Sequence, residues 1–232
     1  HWFKLKYNSN MKKLLLLFLI PFLSTPLLAE GFNDNYFSVG YLNSSGGKEI
    51  NRKGAISGSL DGGNMKGGNG FMVAIGNHLD ESPVSIELEY MSLKEDFIEF
   101  TTKDSSVTEK GSGFVERSGV FLTAKRHFES TSIATPHIGF GIGWQKDYWK
   151  IQNTAATIVV NDSDSAFNYG FLVGATFDLS QSLQLNLDYR YRFMGELTGV
   201  STQCGTTTCS DFSGTTEKYR FSTIAVSISK SF

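Results

Sequence analysis

The sequence predicts an all-β protein, an eight-stranded antiparallel transmembrane β-barrel with short turns at one end and long loops at the other. Three observations lead to this prediction: period-2 alternation of apolar and polar residues, regular alternation of short and long connections, and a glycine-rich, charge-poor composition. The 232 residues include 24 Gly and only 19% charged residues, and the 19 Phe and 9 Tyr favour strands. A formal net charge of −2 argues against nucleic-acid binding.

The N-terminal segment has the form of an export signal. Met11-Lys12-Lys13 supplies a basic start, an apolar run follows at 14–20, and Ala29 offers a small residue for cleavage. The apolar run is shorter than the ~20 residues that a spanning helix needs. We therefore expect an upstream, non-native segment at 1–10, a signal peptide at 11–29 and a barrel domain at 30–232.

The alternation is clearest at 183–193 (LQLNLDYRYRF), where odd positions are leucine, tyrosine or phenylalanine and even positions are polar or charged. A strand places these two sets on opposite faces, whereas a helix would mix them. Related patterns recur along the chain and predict eight strands, near 36–42, 69–79, 84–93, 113–128, 134–145, 165–179, 183–193 and 218–232.

The connections between these strands alternate in length. Short connections lie at 80–83, 129–133 and 180–182. Long connections, rich in Gly, Ser, Thr, Asn and Asp, lie at 43–68, 94–112, 146–164 and 194–217. Outer-membrane barrels have short periplasmic turns and longer extracellular loops, so we expect the four long loops to face outward from the cell.

The two faces of the predicted strands distinguish a membrane barrel from a soluble β-sandwich or a lipocalin-like barrel. A soluble fold buries its apolar face, but here the opposite face mixes glycine with charge and would pack poorly as a core. In a narrow membrane barrel this polar face becomes the interior, and the aromatic face meets lipid. Seven charged residues fall on the predicted lumen face: Glu87, Glu89, Arg117, Lys125, Asp188, Arg190 and Arg192.

The C-terminal strand carries the most specific pattern. Ile224, Val226 and Ile228 share one parity with the terminal Phe232. With the segments 137–144 and 169–191, this pattern resembles the eight-stranded bacterial outer-membrane barrels of the OmpA/OmpX and opacity-type surface-antigen kind. The resemblance implies insertion into the outer membrane, with the terminal Phe read by the barrel-insertion machinery. Lys230 departs from the family pattern, which usually has an aromatic or aliphatic residue there.

Enzymatic chemistry has little support in the sequence. Some eight-stranded barrels of the outer membrane act on lipid with a serine nucleophile and a histidine base, and His127 with Ser130 is the nearest such pair. Metal binding by His78, His127 and His137 lacks the close ligand spacing of known sites. We therefore expect no catalytic residues, no metal and no cofactor.

The last long loop contains the only two cysteines, Cys204 and Cys209, and their spacing in an exported chain predicts a disulfide that tightens the loop tip. The function we expect is a non-enzymatic surface protein, either an antigen or adhesin-like protein that binds a host or extracellular ligand through the long loops, or a structural component of the membrane. A small porin-like channel is the first alternative, and a lipid-modifying enzyme is the second.

Overall fold

The computed structural model describes residues 34–46, 52–54, 60–79, 82–102, 108–130, 133–153, 158–204, 209–216 and 220–232. The segment 1–10, the expected signal peptide at 11–29 and residues 30–33 lie outside the described residues. The strands are β1 Asp34–Ser44, β2 Arg52–Gly54, β3 Leu60–His78, β4 Val84–Thr102, β5 Thr108–His127, β6 Ala134–Asn153, β7 Ile158–Asp178, β8 Leu183–Met194, β9 Leu197–Cys204, β10 Cys209–Thr216 and β11 Arg220–Ser231.

Eight of these strands form a closed antiparallel barrel in the order β1-β3-β4-β5-β6-β7-β8-β11, with β11 pairing back to β1. The predicted eight-stranded barrel is therefore confirmed. The described part of the chain contains no helix that is long and apolar enough to cross a bilayer.

Alternation along the strands separates an outer face from a lumen. On β8, Leu187 and Tyr189 are exposed on the outside, and Asp188 and Arg190 are buried. On β11, Ile224, Val226 and Ile228 are likewise exposed on the outside, as the sequence predicts. The apolar and aromatic face is thus the outer face, and the polar face encloses the lumen.

Five barrel strands extend much farther than the sequence predicts. Strands β3 to β7 contain 19 to 21 residues each, and they occupy most of the predicted loops 94–112 and 146–164. A transmembrane β-strand needs about 9–11 residues. The predicted strand ends were wrong because the regular alternation of apolar and polar residues is lost in these outer segments, for example at Phe97-Ile98 and Val159-Val160, while the hydrogen-bonded ladder continues.

The outer end of the barrel carries a further small sheet. Strand β9 pairs with the first residues of β7, β10 pairs with β9, and the three residues of β2 pair with β10. The backbone register places Cys204 directly opposite Cys209. The disulfide remains a prediction, because the two side chains lie outside the described ones.

The other end of the barrel is closed by short turns and by the chain terminus. The connection between β7 and β8 spans only residues 179–182. The backbone N–H of Phe232 donates to the carbonyl oxygen of Asn35 at 3.0 Å, and that of Ser231 donates to the carbonyl oxygen of Ser182 at 2.9 Å. These bonds join the last strand to both neighbouring strand ends at the expected periplasmic side.

Candidate functional site

The lumen is the candidate site, because all seven charged residues predicted for it are buried inside the barrel. Six of them form one network of ion pairs that runs across the barrel from β4 to β8. The order of contacts is Glu87, Lys125, Asp188, Arg190, Glu89 and Arg192. We call these six residues the charge chain.

The charge chain alternates in sign along its whole length. Lys125 Nζ lies 2.7 Å from Glu87 Oε1 and 3.7 Å from Asp188 Oδ2. Arg190 donates to Asp188 at 2.9 Å and also pairs with Glu89. Glu89 completes the chain by accepting from Arg192 at 2.7 Å. Three acids and three bases therefore neutralise each other, as buried charges must.

Aromatic side chains contact the ends and the middle of the charge chain. The hydroxyl of Tyr36 donates to Glu87 at 2.8 Å, and His137 Nε2 lies 2.7 Å from Asp188 Oδ1. The guanidinium of Arg192 lies 3.7 Å above the Phe121 ring. Each of these contacts fixes a charged side chain in one orientation, which a hydrated channel would not require.

The seventh predicted residue, Arg117, belongs to a separate cluster nearer the outer end. It pairs with Glu95 and lies 3.5 Å from Asp147, and all three side chains are fully buried. Gln145 donates to Asp147 at 2.8 Å and accepts from Asn168 at 2.9 Å. The sequence prediction missed Glu95 and Asp147 because they lie in segments assigned to loops, although their odd numbers match the inward parity of β4 and β6.

A cluster of buried apolar side chains fills the lumen around these charges. Met72 and Met91 face each other across β3 and β4, and Met65 and Met194 accept hydrogen bonds from Arg117 and Gln145 through sulfur. We call this cluster the apolar plug. Its members are Leu42, Met65, Met72, Ala74, Met91, Leu93, Val115, Phe121, Trp149, Ala166, Met194, Phe221 and Ala225.

Glycines give the long lumen side chains the space they need. A Cβ atom added at Gly174 would lie 2.6 Å from His137 Nε2, and one added at Gly40 would lie 2.7 Å from Ser227 Cβ. A cavity of about 20 Å³ beside Arg190 and Arg192 is about the size of one water molecule. The described lumen is therefore closely packed around Arg190 and Arg192.

The three histidines lie together at the periplasmic end of the lumen. The ring centroids of His78 and His127 are 5.3 Å apart, as are those of His127 and His137, and the Tyr36 ring lies 4.9 Å from that of His78. Sequence spacing gave no sign of this row, because β3, β5 and β6 bring the residues together only in the closed barrel. In the described part of the chain, no group of three or more His, Cys, Asp or Glu side chains is arranged to hold a metal ion.

The suggested nucleophile–base pair has a different arrangement from the one considered in the sequence. His127 Nε2 lies 3.0 Å from the hydroxyl of Ser85, which is fully buried in the lumen. Ser130 is exposed beyond the end of β5. A lipid-modifying enzyme needs its nucleophile against lipid, and Ser85 faces the opposite side of the barrel wall.

Comparison with known proteins identifies the family. The model of the family described as outer membrane protein beta-barrel domain matches residues 15–232, so the chain belongs to this family of bacterial outer-membrane barrels. The predicted resemblance and the predicted outer-membrane localisation are both confirmed. No curated protein sequence is significantly similar to the chain.

Solved structures show the same fold at low sequence identity. The outer membrane protein OprG of Pseudomonas aeruginosa has a TM-score of 0.59 at 8% identity and covers 88% of this chain and 98% of its own. A major outer membrane protein of Thermus thermophilus has a TM-score of 0.58 at 14% identity, covering 85% and 99%.

Proposed function

We propose that this outer-membrane barrel is a non-enzymatic, non-conducting surface protein that acts through its outer end. The observation that carries this proposal is the packed lumen, in which the charge chain and the apolar plug occupy the space a solute would need. Eight strands leave an interior just wide enough for side chains, and here side chains fill it.

The outer end supports a role in recognition of a host or extracellular ligand. Strands β3 to β7 are about twice as long as a transmembrane strand needs to be. Because β9, β10 and β2 add to the same sheet, the outer segments form a hydrogen-bonded surface instead of separate loops. A surface held by backbone ladders loses little entropy on binding, which favours an antigen or adhesin-like role over a purely structural one.

Single-channel recording in a planar bilayer tests the closed lumen. The wild-type protein is expected to stay silent after folding is verified. The variant Met72→Ala/Met91→Ala removes a facing pair of the apolar plug and is expected to give brief, infrequent openings, because the charge chain stays in place. The matched control Val73→Ala/Tyr90→Ala truncates the adjacent cross-strand pair on the lipid face and is expected to stay silent. Steady, ion-selective openings of the wild type would replace this proposal with the porin-like channel.

Deletion of the outer hairpin tests recognition. Replacing residues 197–216 with a short Gly-Ser linker removes β9 and β10 and leaves the barrel strands in place. Bacteria that display this variant are expected to lose adhesion to an epithelial cell monolayer, whereas wild-type display supports it. The adhesin-like role would be contradicted if adhesion is unchanged in this variant and also in variants that lack the outer segments of β3 to β6.

A further inference from the structure

The outer face of β4 to β7 changes character at a single row of residues. Tyr90, Val120, Trp144 and Phe167 pair across the four strands and are 40%, 50%, 59% and 46% exposed, so they belong to the lipid-facing belt. The next outward-facing row toward the outer end consists of Ser92, Ser118, Lys146 and Ser165. On these four strands, the last complete row of exposed apolar side chains is therefore followed by a row of three hydroxyls and one cation.

The cations near this row differ in what they contact. Lys94 Nζ lies 3.3 Å from Glu116 Oε1 and 3.8 Å from the centre of the Phe114 ring, so its charge is paired. Lys146 and Lys150 on β6 are both exposed, and neither forms an ion pair with the described side chains. They occupy the same face, four residues apart, a separation of roughly 13 Å along a strand.

The balance of charge on this face is positive beside β6. Asp96 is the other described acid on the outward side, and it lies on β4, two strands away from Lys146 and Lys150. Glu116 on β5 lies opposite Tyr148, but its ion pair is with Lys94 on the other side, so Lys94, Lys146 and Lys150 outnumber the two described acids of this face, Glu116 and Asp96. Tyr148 lies between them and Trp144 lies directly below, both residue types that favour the membrane–water boundary.

We propose that Lys146 and Lys150, with the hydroxyls of Ser118 and Ser165, bind the phosphate groups of an anionic glycolipid in the outer leaflet. The short turns lie at the opposite end of the barrel, so this row is at the depth of the outer-leaflet headgroups. An ammonium group binds phosphate as a point charge, and serine hydroxyls can donate to phosphate and sugar oxygens. Acyl chains of the same lipid would lie along the belt of Trp144 and Phe167.

The test is a lipid titration of the refolded protein in detergent. Two lipids are compared: diphosphoryl lipid A, and the same lipid after enzymatic removal of its phosphates. Native mass spectrometry counts the bound lipid. The variant Lys146→Gln/Lys150→Gln is expected to lose about tenfold in affinity for the phosphorylated lipid, the size of a charge-assisted hydrogen bond. Its affinity for the dephosphorylated lipid is expected to be unchanged. Higher salt is expected to weaken only wild-type binding of the phosphorylated form.

The matched control is Lys230→Gln, which removes an exposed outward-facing lysine at the opposite, periplasmic edge of the belt. This variant is expected to bind both lipids like the wild type. Equal binding of the two lipids by the wild type would overturn the proposal, and so would an equal loss of affinity in the double variant and the control. A heat-modifiability gel verifies that each variant is folded before titration. None of these outcomes depends on whether the lumen conducts.

Discussion

The substitution Glu89→Gln tests whether the charge chain is a dry, mutually neutralised network. Glu89 is 0% exposed and accepts from both Arg190 and Arg192. Glutamine keeps nearly the same volume but removes the negative charge. Arg190 would keep the carboxylate of Asp188, whereas Arg192 would have no carboxylate partner among the described residues, only the Phe121 ring and the neutral amide oxygen of the new glutamine.

The magnitude follows from burial. Removing one partner of a buried ion pair costs about 3–5 kcal/mol, because the remaining charge is left uncompensated. The matched control is Glu116→Gln, whose partner Lys94 lies at 3.3 Å with both side chains about half exposed. An exposed pair of this kind is worth about 0.2–1 kcal/mol. The two Glu→Gln changes are therefore expected to differ by at least about 2 kcal/mol in unfolding free energy.

A second variant separates charge imbalance from loss of packing. In Glu89→Gln/Arg192→Met the chain loses one acid and one base from the same end and is neutral again. We expect it to recover about 2 kcal/mol or more relative to Glu89→Gln alone, since replacing a buried pair with apolar groups is often neutral. A double variant no more stable than Glu89→Gln would show that packing, not charge, dominates.

The assay is urea unfolding of the refolded protein in lipid vesicles, followed by tryptophan fluorescence and linear extrapolation. Trp144 faces lipid and Trp149 lies in the lumen, so β6 carries a reporter on each side of the barrel wall. A cost below about 1 kcal/mol for Glu89→Gln, equal to that of Glu116→Gln, would refute the reasoning. The lumen charges would then be hydrated, and the porin-like channel would follow.

Three further predictions concern packing, lipid depth and assembly. Gly174→Ala should destabilise the barrel by about 1–3 kcal/mol, because the new methyl would lie 2.6 Å from an imidazole nitrogen; Gly195→Ala, with its nearest atom at 3.3 Å, should cost less in the same urea assay. Leu88→Lys on the lipid belt should cost about 2–4 kcal/mol, but Ser92→Lys at the belt edge only about 0–1 kcal/mol, and equal costs would contradict the assigned belt. Phe232→Ala should slow appearance of the heat-modifiable form in cells without changing the unfolding free energy, because this side chain is largely exposed.

The sequence predicts which face of a membrane-spanning strand each residue occupies, because every second residue must be compatible with lipid. A period of two fixes the face of every residue once one is assigned, so Asp188 and Arg190 could be placed in the lumen from their neighbours alone. The same rule fails where neither face of a strand is apolar in sequence. Lys94, Glu95 and Asp96 are three consecutive charged residues, and for this reason the inward, buried Glu95 was predicted to lie in a loop.

The pairing of lumen charges could not be predicted, because it depends on strand register around the closed barrel. Glu89 and Arg190 are separated by 101 positions in sequence and meet only after the intervening strands have paired. The apolar plug was missed for a related reason. Met72 and Met91 have inward parity, but their apolar character alone does not show whether they contact lipid or pack inside the lumen.

The alternating charge chain also limits how the barrel could open. A path through this level of the lumen requires members of the charge chain to separate. Separating an end member from its partner, such as Arg192 from Glu89, leaves a buried charge uncompensated at a cost of about 3–5 kcal/mol. At about 1.4 kcal/mol per tenfold change, the open form would account for less than about 1% of molecules. A barrel built in this way can conduct only in rare openings, whereas its outer strands and outer-leaflet face are available to partners all the time. Steady wild-type conductance and a packed charge chain are therefore incompatible, and one recording decides between them.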